Sequence, residues 1–218
     1  MHTRRVVRIA VVAVALLAVA TTAVSAAARH GRQGDAEEHE AVTANARSGT
    51  GSCGVERWSV KTGTDADAGK IALEPATQAS VAELDALQAP ANLPDDSRVQ
   101  PTETTVFKLS ATLTKYKMEA DSDYHLVLDD GSGHTMIAEI PDPSCVGSGS
   151  PLATGIKTAR DEFDARFDPT DRFQDANVPV TVTGVGFFDF QHGQTGVAPN
   201  GIELHAVLDV SFGGAKAA

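Results

Sequence analysis

Between Thr104 and Lys117 apolar and polar side chains alternate, most regularly from Phe107 to Thr114. Phe107, Leu109, Ala111 and Leu113 fall on one face, and Lys108, Ser110, Thr112 and Thr114 on the other. Successive side chains of an extended chain point to opposite sides, so period two over this length predicts a half-buried strand. Such a strand is not stable alone. It needs further strands to complete its hydrogen bonds and a second layer to cover its apolar face.

The sequence supplies both. Asp123 to Asp129 alternates through Tyr124, Leu126 and Leu128, and Asp130-Gly131-Ser132-Gly133 has the composition of a hairpin turn. His134 to Ile140 continues through Met136 and Ala138, and Pro141-Asp142-Pro143 ends it. The period then changes. Leu152, Ile156, Ala159, Phe163 and Phe167 recur at helical spacing behind Ser150-Pro151, and Pro169 stops the run. Val178, Val180 and Val182 resume an extended pattern. Ile202, Leu204, Ala206, Leu208 and Val210 form the last one, with Glu203, His205, Val207 and Asp209 facing away. Three strands, a helix and two strands predict a mainly β domain over 101–212, a five-stranded OB-like barrel with its one helix between strands 3 and 4. The rival arrangement is an open α+β sheet with the helix on one face.

Residues 55–100 read as an N-terminal extension packed on this domain, too short for a core of its own. Within it, Ser80-Val81-Ala82-Glu83 is a capping box that opens a helix through Leu84 and Leu87, stopped by Pro90. Residues 29–54 have few large apolar side chains and read as a disordered linker, and 213–218 as a frayed tail. Arg4, Arg5 and Arg8 precede an apolar run from Ile9 to about Val24, and Ser25-Ala26-Ala27-Ala28 follows. A charged start, an apolar middle and a small-residue exit predict a signal peptide over 1–28 and a secreted or cell-envelope location. Arg4-Arg5 also admits the twin-arginine route. The same run is just long enough for an uncleaved anchor; if the signal is cleaved, no stable membrane insertion is expected.

Removing 1–28 takes three of the 18 basic residues and leaves 15 against 29 acidic ones, a net charge of −14. That disfavours nucleic acid and anionic membrane surfaces as partners. Cys53 and Cys145 are the two cysteines. In an exported chain without Cys-x-x-Cys they predict one disulfide, closing a loop worth about 4–5 kcal/mol on the chain-entropy account.

Two polar stretches are candidates for the site. One runs from Glu119 to His125 at the first hairpin. The other runs from Asp189 to Gly201 between the last two strands and is followed by Glu203 and His205. An OB-like barrel would bring both to one side. The ligand-binding candidates are Asp121, Asp123, His125, Asp189, His192, Gln194, Asn200, Glu203 and His205. Of these, Asp123, His125, His192 and His205 are candidate ligands for a divalent metal, zinc or manganese, or a source of general acid and base. No His-Glu-x-x-His and no nucleophile elbow is present. The same residues can instead serve the loops: Asp and Ser make hairpin turns, and His192 can bond its loop to itself.

Glu56–Thr62, Glu119–Leu128 and, above all, the run Gly184-Val185-Gly186-Phe187-Phe188-Asp189, His192-Gly193-Gln194 and Ala198-Pro199-Asn200-Gly201-Ile202-Glu203-Leu204-His205 resemble a widespread group of exported bacterial proteins without an established activity. The resemblance covers about 55–212 and brings no catalytic residues with it. The group carries proline after the position of His205, where this chain has Ala206. OB-fold thermonucleases are a second comparison. Their spacing of catalytic arginine and carboxylates is absent, and Arg160 and Arg166 fall on the predicted helix instead, which argues against a nuclease.

Three functions are therefore expected to compete. The first is an exported OB-like binding module for a small molecule, an envelope glycan or a protein. The second is a metal-dependent hydrolase of phosphodiesters, which needs Asp123, His125, His192 and His205 to converge. The third is a structural envelope protein.

Overall fold

The computed structural model describes residues 53–213. The predicted signal peptide, nearly all of the predicted linker and the tail beyond Gly213 lie outside the described residues. The chain is mainly β. Its elements are α1 (Trp58–Lys61), β1 (Ala72–Gln78), α2 (Val81–Asp85), β2 (Thr105–Met118), β3 (Tyr124–Asp129), β4 (Thr135–Ile140), α3 (Ala153–Asp164), β5 (Gln174–Phe188) and β6 (Ile202–Phe212). Among the described residues no helix is long and apolar enough to cross a membrane.

The strands lie in the order β1-β2-β3-β4-β6-β5, and β2 also pairs with β5. That second pairing closes β2, β3, β4, β6 and β5 into a ring. The sheet therefore has six strands where the sequence predicted five. β1 is the addition, joined in parallel to the first residues of β2. Its sequence, Ala-Leu-Glu-Pro-Ala-Thr-Gln, shows no alternation and its residues are mostly exposed, so no buried face marks it as a strand.

Inside the ring lie Leu126 and Leu128 of β3, Met136, Ala138 and Ile140 of β4, and Ile202 and Leu204 of β6, packed with Phe163 of α3. Each fully buried side chain of this size contributes about 1.5–3 kcal/mol. Tyr116, Phe163, Phe167 and Phe212 form an aromatic cluster, with Tyr116 5.4 Å from Phe163 and Phe167 5.3 Å from Phe212. Tyr116 reaches it because a bulge between Leu113 and Lys115 shifts the register of β2. Strict alternation would have pointed Lys115 inward instead.

The last strand also departs from strict alternation. Val207 turns into the main core, whereas Ala206 joins a smaller cluster with Val106, Ile156 and Val185. β6 advances farther than β5 on either side of Gly184, so it changes face partway along. Gly184 allows the close approach: a Cβ there would stand 3.0 Å from the Ala206 carbonyl oxygen and from Leu204 Cβ. The peptide joining His205 to Ala206 is cis.

The predicted capping box is formed, with Ser80 Oγ accepting from Glu83 N–H and Glu83 reaching back to the Ser80 N–H. Cys53 and Cys145 are disulfide-bonded, with Cα atoms 5.6 Å apart. The extension is further fixed by a buried pair. Arg57 donates to both oxygens of Glu103, at 2.8 and 2.9 Å, and to the carbonyl of Phe188 at the end of β5. Glu103 in turn accepts the backbone N–H groups of Val99 and Phe188.

Candidate functional site

Register on three neighbouring strands produces one row of side chains. His125 on β3 is directly opposite Glu139 on β4, and Glu139 is directly opposite His205 on β6. Lys117 of β2 extends the row beyond His125. These positions alternate with Leu126, Ala138 and Leu204, so the row occupies the opposite face of the sheet from the main core. That face is buried too. Thr195 and Gly196 of the loop between β5 and β6 lie over β3, and the Phe187 ring lies 5.4 Å from that of His205.

Glu139 sits between two imidazoles. Its Oε1 is 3.3 Å from His125 Nδ1, and its Oε2 is 2.9 Å from His205 Nδ1. Glu119 Oε1 is 3.2 Å from the same His125 nitrogen, and Asp123 Oδ2 is 3.4 Å from His205 Nε2. The result is a buried chain, Glu119–His125–Glu139–His205–Asp123. Asp123 is held at its other oxygen by the Asp142 N–H, 3.0 Å away. His125 Nε2 lies 3.0 Å from the Thr195 carbonyl, which can only accept, so this nitrogen carries a hydrogen and Nδ1 faces the carboxylates.

The electrostatics follow from this arrangement. Burial works against the imidazolium of His125, but Glu119 and Glu139 outweigh it and raise the group to about 10. Burial likewise opposes the His205 charge, and Asp123 and Glu139 raise it to about 9 against the pull of Lys61. Glu139 is also penalised by burial, yet the two histidines hold it well below the usual carboxylate range. Burial dominates at Asp123 and pushes it up, only partly offset by His205. Asp123 Oδ2, His125 Nδ1 and both ring nitrogens of His205 are buried and make no directed hydrogen bond, despite carboxylate–imidazole separations of 2.9–3.4 Å. Proximity here is not matched by alignment.

The two predicted stretches do come together, through His125 and Thr195, but their residues divide into separate roles. Asp123, His125 and His205 join the buried chain. Asp121 accepts from the Asp123 N–H and shapes the turn before β3. Glu203 is buried one row along, opposite Ile137 and Phe187. Asp189 is 3.2 Å from the buried ammonium of Lys61. Gln194 accepts from the His192 N–H and donates to the Phe190 carbonyl, which folds the loop on itself. Asn200 donates to the carbonyls of Leu84 and Leu87 and fixes α2 to the loop.

His192 does not converge with the other three metal candidates. Its side chain is 47% exposed and its nearest acidic partner is Glu56 at 3.9 Å. The predicted four-residue set is therefore not assembled, since His192 is exposed on its loop while the other three are buried. Glu139 and Glu119 take part instead; Glu119 opens the first candidate stretch without being one of the named ligands, and Glu139 lies in neither stretch. Glu139 occupies a polar position of an alternating strand and reads as solvent-facing; only its place opposite His125 across the hairpin signals otherwise.

A cleft of about 390 Å³ opens elsewhere. It is lined by 89–93 of the extension and by Phe188, Asp189, Phe190, Gln191 and Asn200. Asp189 is its one ionisable residue.

No protein-family model matches the chain, and no curated protein matches it in sequence. Among solved structures, a candidate aspartyl-tRNA synthetase from Leishmania major Friedlin is similar over 64% of this chain, at 17% identity and a TM-score of 0.36. The similarity spans 21% of that protein's length.

Proposed function

We propose that this chain is an exported binding module built on an OB-like barrel, taking a small, largely uncharged ligand in the cleft between the extension and the end of β5. The observation that carries the reading is the separation of the cleft from the ionisable groups. A hydrolytic site needs carboxylates and imidazoles to converge where a substrate can reach them. Here Asp123, His125, Glu139 and His205 are sealed, while the cleft presents one carboxylate already paired with Lys61. A concave surface with apolar walls and a few polar groups is the usual form of a ligand site.

The ring order β2-β3-β4-β6-β5-β2, with α3 between β4 and β5, supports the OB-like assignment. The disulfide is compatible with export. The lining suggests the ligand class. Phe190 contributes an aromatic ring, and Asn92 and Gln191 contribute amides beside Pro90 and Leu93, the Gln191 nitrogen already donating to the Ala198 and Pro199 carbonyls. Ring stacking with neutral hydrogen bonding suits a sugar, so an uncharged envelope glycan is the first ligand to test.

The test is titration of the isotope-labelled full chain with soluble envelope-glycan fragments, followed by amide chemical shifts. Shifts clustered at Leu93, Phe190 and Gln191, and abolished in Phe190→Ala, support the reading. Saturable shifts that avoid the cleft, or none with any fragment, reject it. Turnover of a phosphodiester would transfer the assignment to the metal-dependent hydrolase.

A further inference from the structure

Four buried polar atoms without a directed hydrogen bond cluster around Glu139: Asp123 Oδ2, His125 Nδ1, and Nδ1 and Nε2 of His205. Buried polar groups are otherwise almost always satisfied, since each one left over costs what a lost hydrogen bond costs. An acceptor-only carboxylate on either side of an imidazole is the surrounding that a cation would complete.

We propose that Asp123, Glu139 and His205 bind a divalent first-row transition metal ion of the zinc or manganese class. One donor atom from each residue lies within 4.8 Å of the other two. Bonds from zinc to nitrogen and oxygen are about 2.0–2.2 Å, so donors on one ion stand roughly 3–4 Å apart. Glu139 Oε2 is already 2.9 Å from His205 Nδ1, and Asp123 Oδ2 is 3.4 Å from Nε2. The imidazole presents a different nitrogen to each carboxylate, so loading turns the ring until one nitrogen serves as the ligand.

The surroundings match those of a structural site. The Asp142 N–H fixes Asp123, and His125 stands 3.3 Å from the far oxygen of Glu139 while the Thr195 carbonyl orients the His125 ring. Such outer contacts set ligand direction. The ligands come from the turn before β3, from β4 and from β6, so one ion would link three segments. Three protein ligands leave a fourth position on the ion, and with side chains at most 5% exposed that position can take a water but not a substrate. The metal therefore stabilises the fold under the β5–β6 loop and does not act on the ligand of the cleft. The competing arrangement places protons on both imidazoles and no metal.

The experiment uses the full chain, purified from an exporting host, with bound metal measured by elemental analysis. The protein is then stripped with a chelator and reloaded with zinc, manganese or cobalt. The expected result is near-stoichiometric metal, a lower Tm after stripping that is restored on reloading, and loss of metal in Asp123→Asn and His205→Ala but not in His192→Ala. Retention of metal in both of those variants overturns the proposal. If the variants fail to fold, the cobalt spectrum of the unsubstituted protein decides: bands of a site coordinated by nitrogen and oxygen support the site. A spectrum identical to aqueous cobalt, with no Tm shift from any of the three metals, overturns it and leaves the protonated arrangement.

Discussion

Glu139 and His205 are direct cross-strand partners on parallel strands, with carboxylate and imidazole 2.9 Å apart and both buried. His125 stands on the other side of the same carboxylate, so one acidic side chain compensates two histidines.

Removing that carboxylate leaves each imidazole with one buried carboxylate in place of two, Glu119 beside His125 and Asp123 beside His205. Breaking a buried pair at one partner costs about 3–5 kcal/mol. Glu139→Ala is expected to lose that much unfolding free energy in the chelated protein, measured by denaturant titration. His192→Ala, at an exposed loop position, is expected to change it by no more than about 0.5 kcal/mol. Equal effects from the two substitutions would contradict the central place of Glu139.

The Arg57–Glu103 pair joins the extension to the ring. Glu103→Gln keeps the shape but leaves the guanidinium uncompensated, again at a cost of about 3–5 kcal/mol. Limited proteolysis is expected to cut first within 55–100, with the ring surviving longer. Cleavage first at the β5–β6 loop would mean that the extension is held by other contacts.

Gly196 has φ +89°, and a Cβ there would stand 2.5 Å from Val127 Cγ1. Gly196→Ala must lift the loop from β3 or push Val127 aside, at about 1–3 kcal/mol. Hydrogen exchange is expected to rise across 189–201. Val127→Ala should offset part of the cost, so a double-mutant cycle gives a coupling energy distinct from zero. Simple additivity would show that the contact is not the source.

The chain has two tyrosines, and both are buried. Burial pushes Tyr116 up; burial and the hydrogen bond to Asp164 push Tyr124 up to about 12. An unfolded tyrosine ionises near pH 10. Each is an acid whose folded value exceeds its unfolded one. Their contribution to stability is whole below about pH 10 and is lost above it, for Tyr124 as the pH rises toward about 12. Tyrosinate absorbance of the folded protein is expected to appear at higher pH than that of the denatured chain. Coincident curves would contradict the burial of both phenols.

The parts of this architecture written in local periodicity were legible. Alternation marked β2, β3, β4 and β6, helical spacing marked α3, and Ser80 with Glu83 marked α2. Register and bulges were not, because they depend on the partner strand. The chain reads Ala206 as inward by parity, and only its pairing with β5 around Gly184 turns Val207 in. The same limit hid Glu139. Alternation assigned it to a polar face, but whether that face meets water depends on a loop more than fifty residues farther along the chain. Arg57 and Glu103 were passed over for a related reason: they are charged and far apart in sequence, and compensation exists only once the extension has docked.

Within the sheet, β1 is the one strand among the described residues that pairs along a single side. Its outer edge therefore has backbone donors and acceptors available to a passing chain. Pro75 has no backbone N–H to offer at the centre of the strand, and Glu74 places a charge beside it. The segment least recognisable as a strand is thus also the one that discourages intermolecular sheet extension, protecting the folded protein against edge-to-edge aggregation.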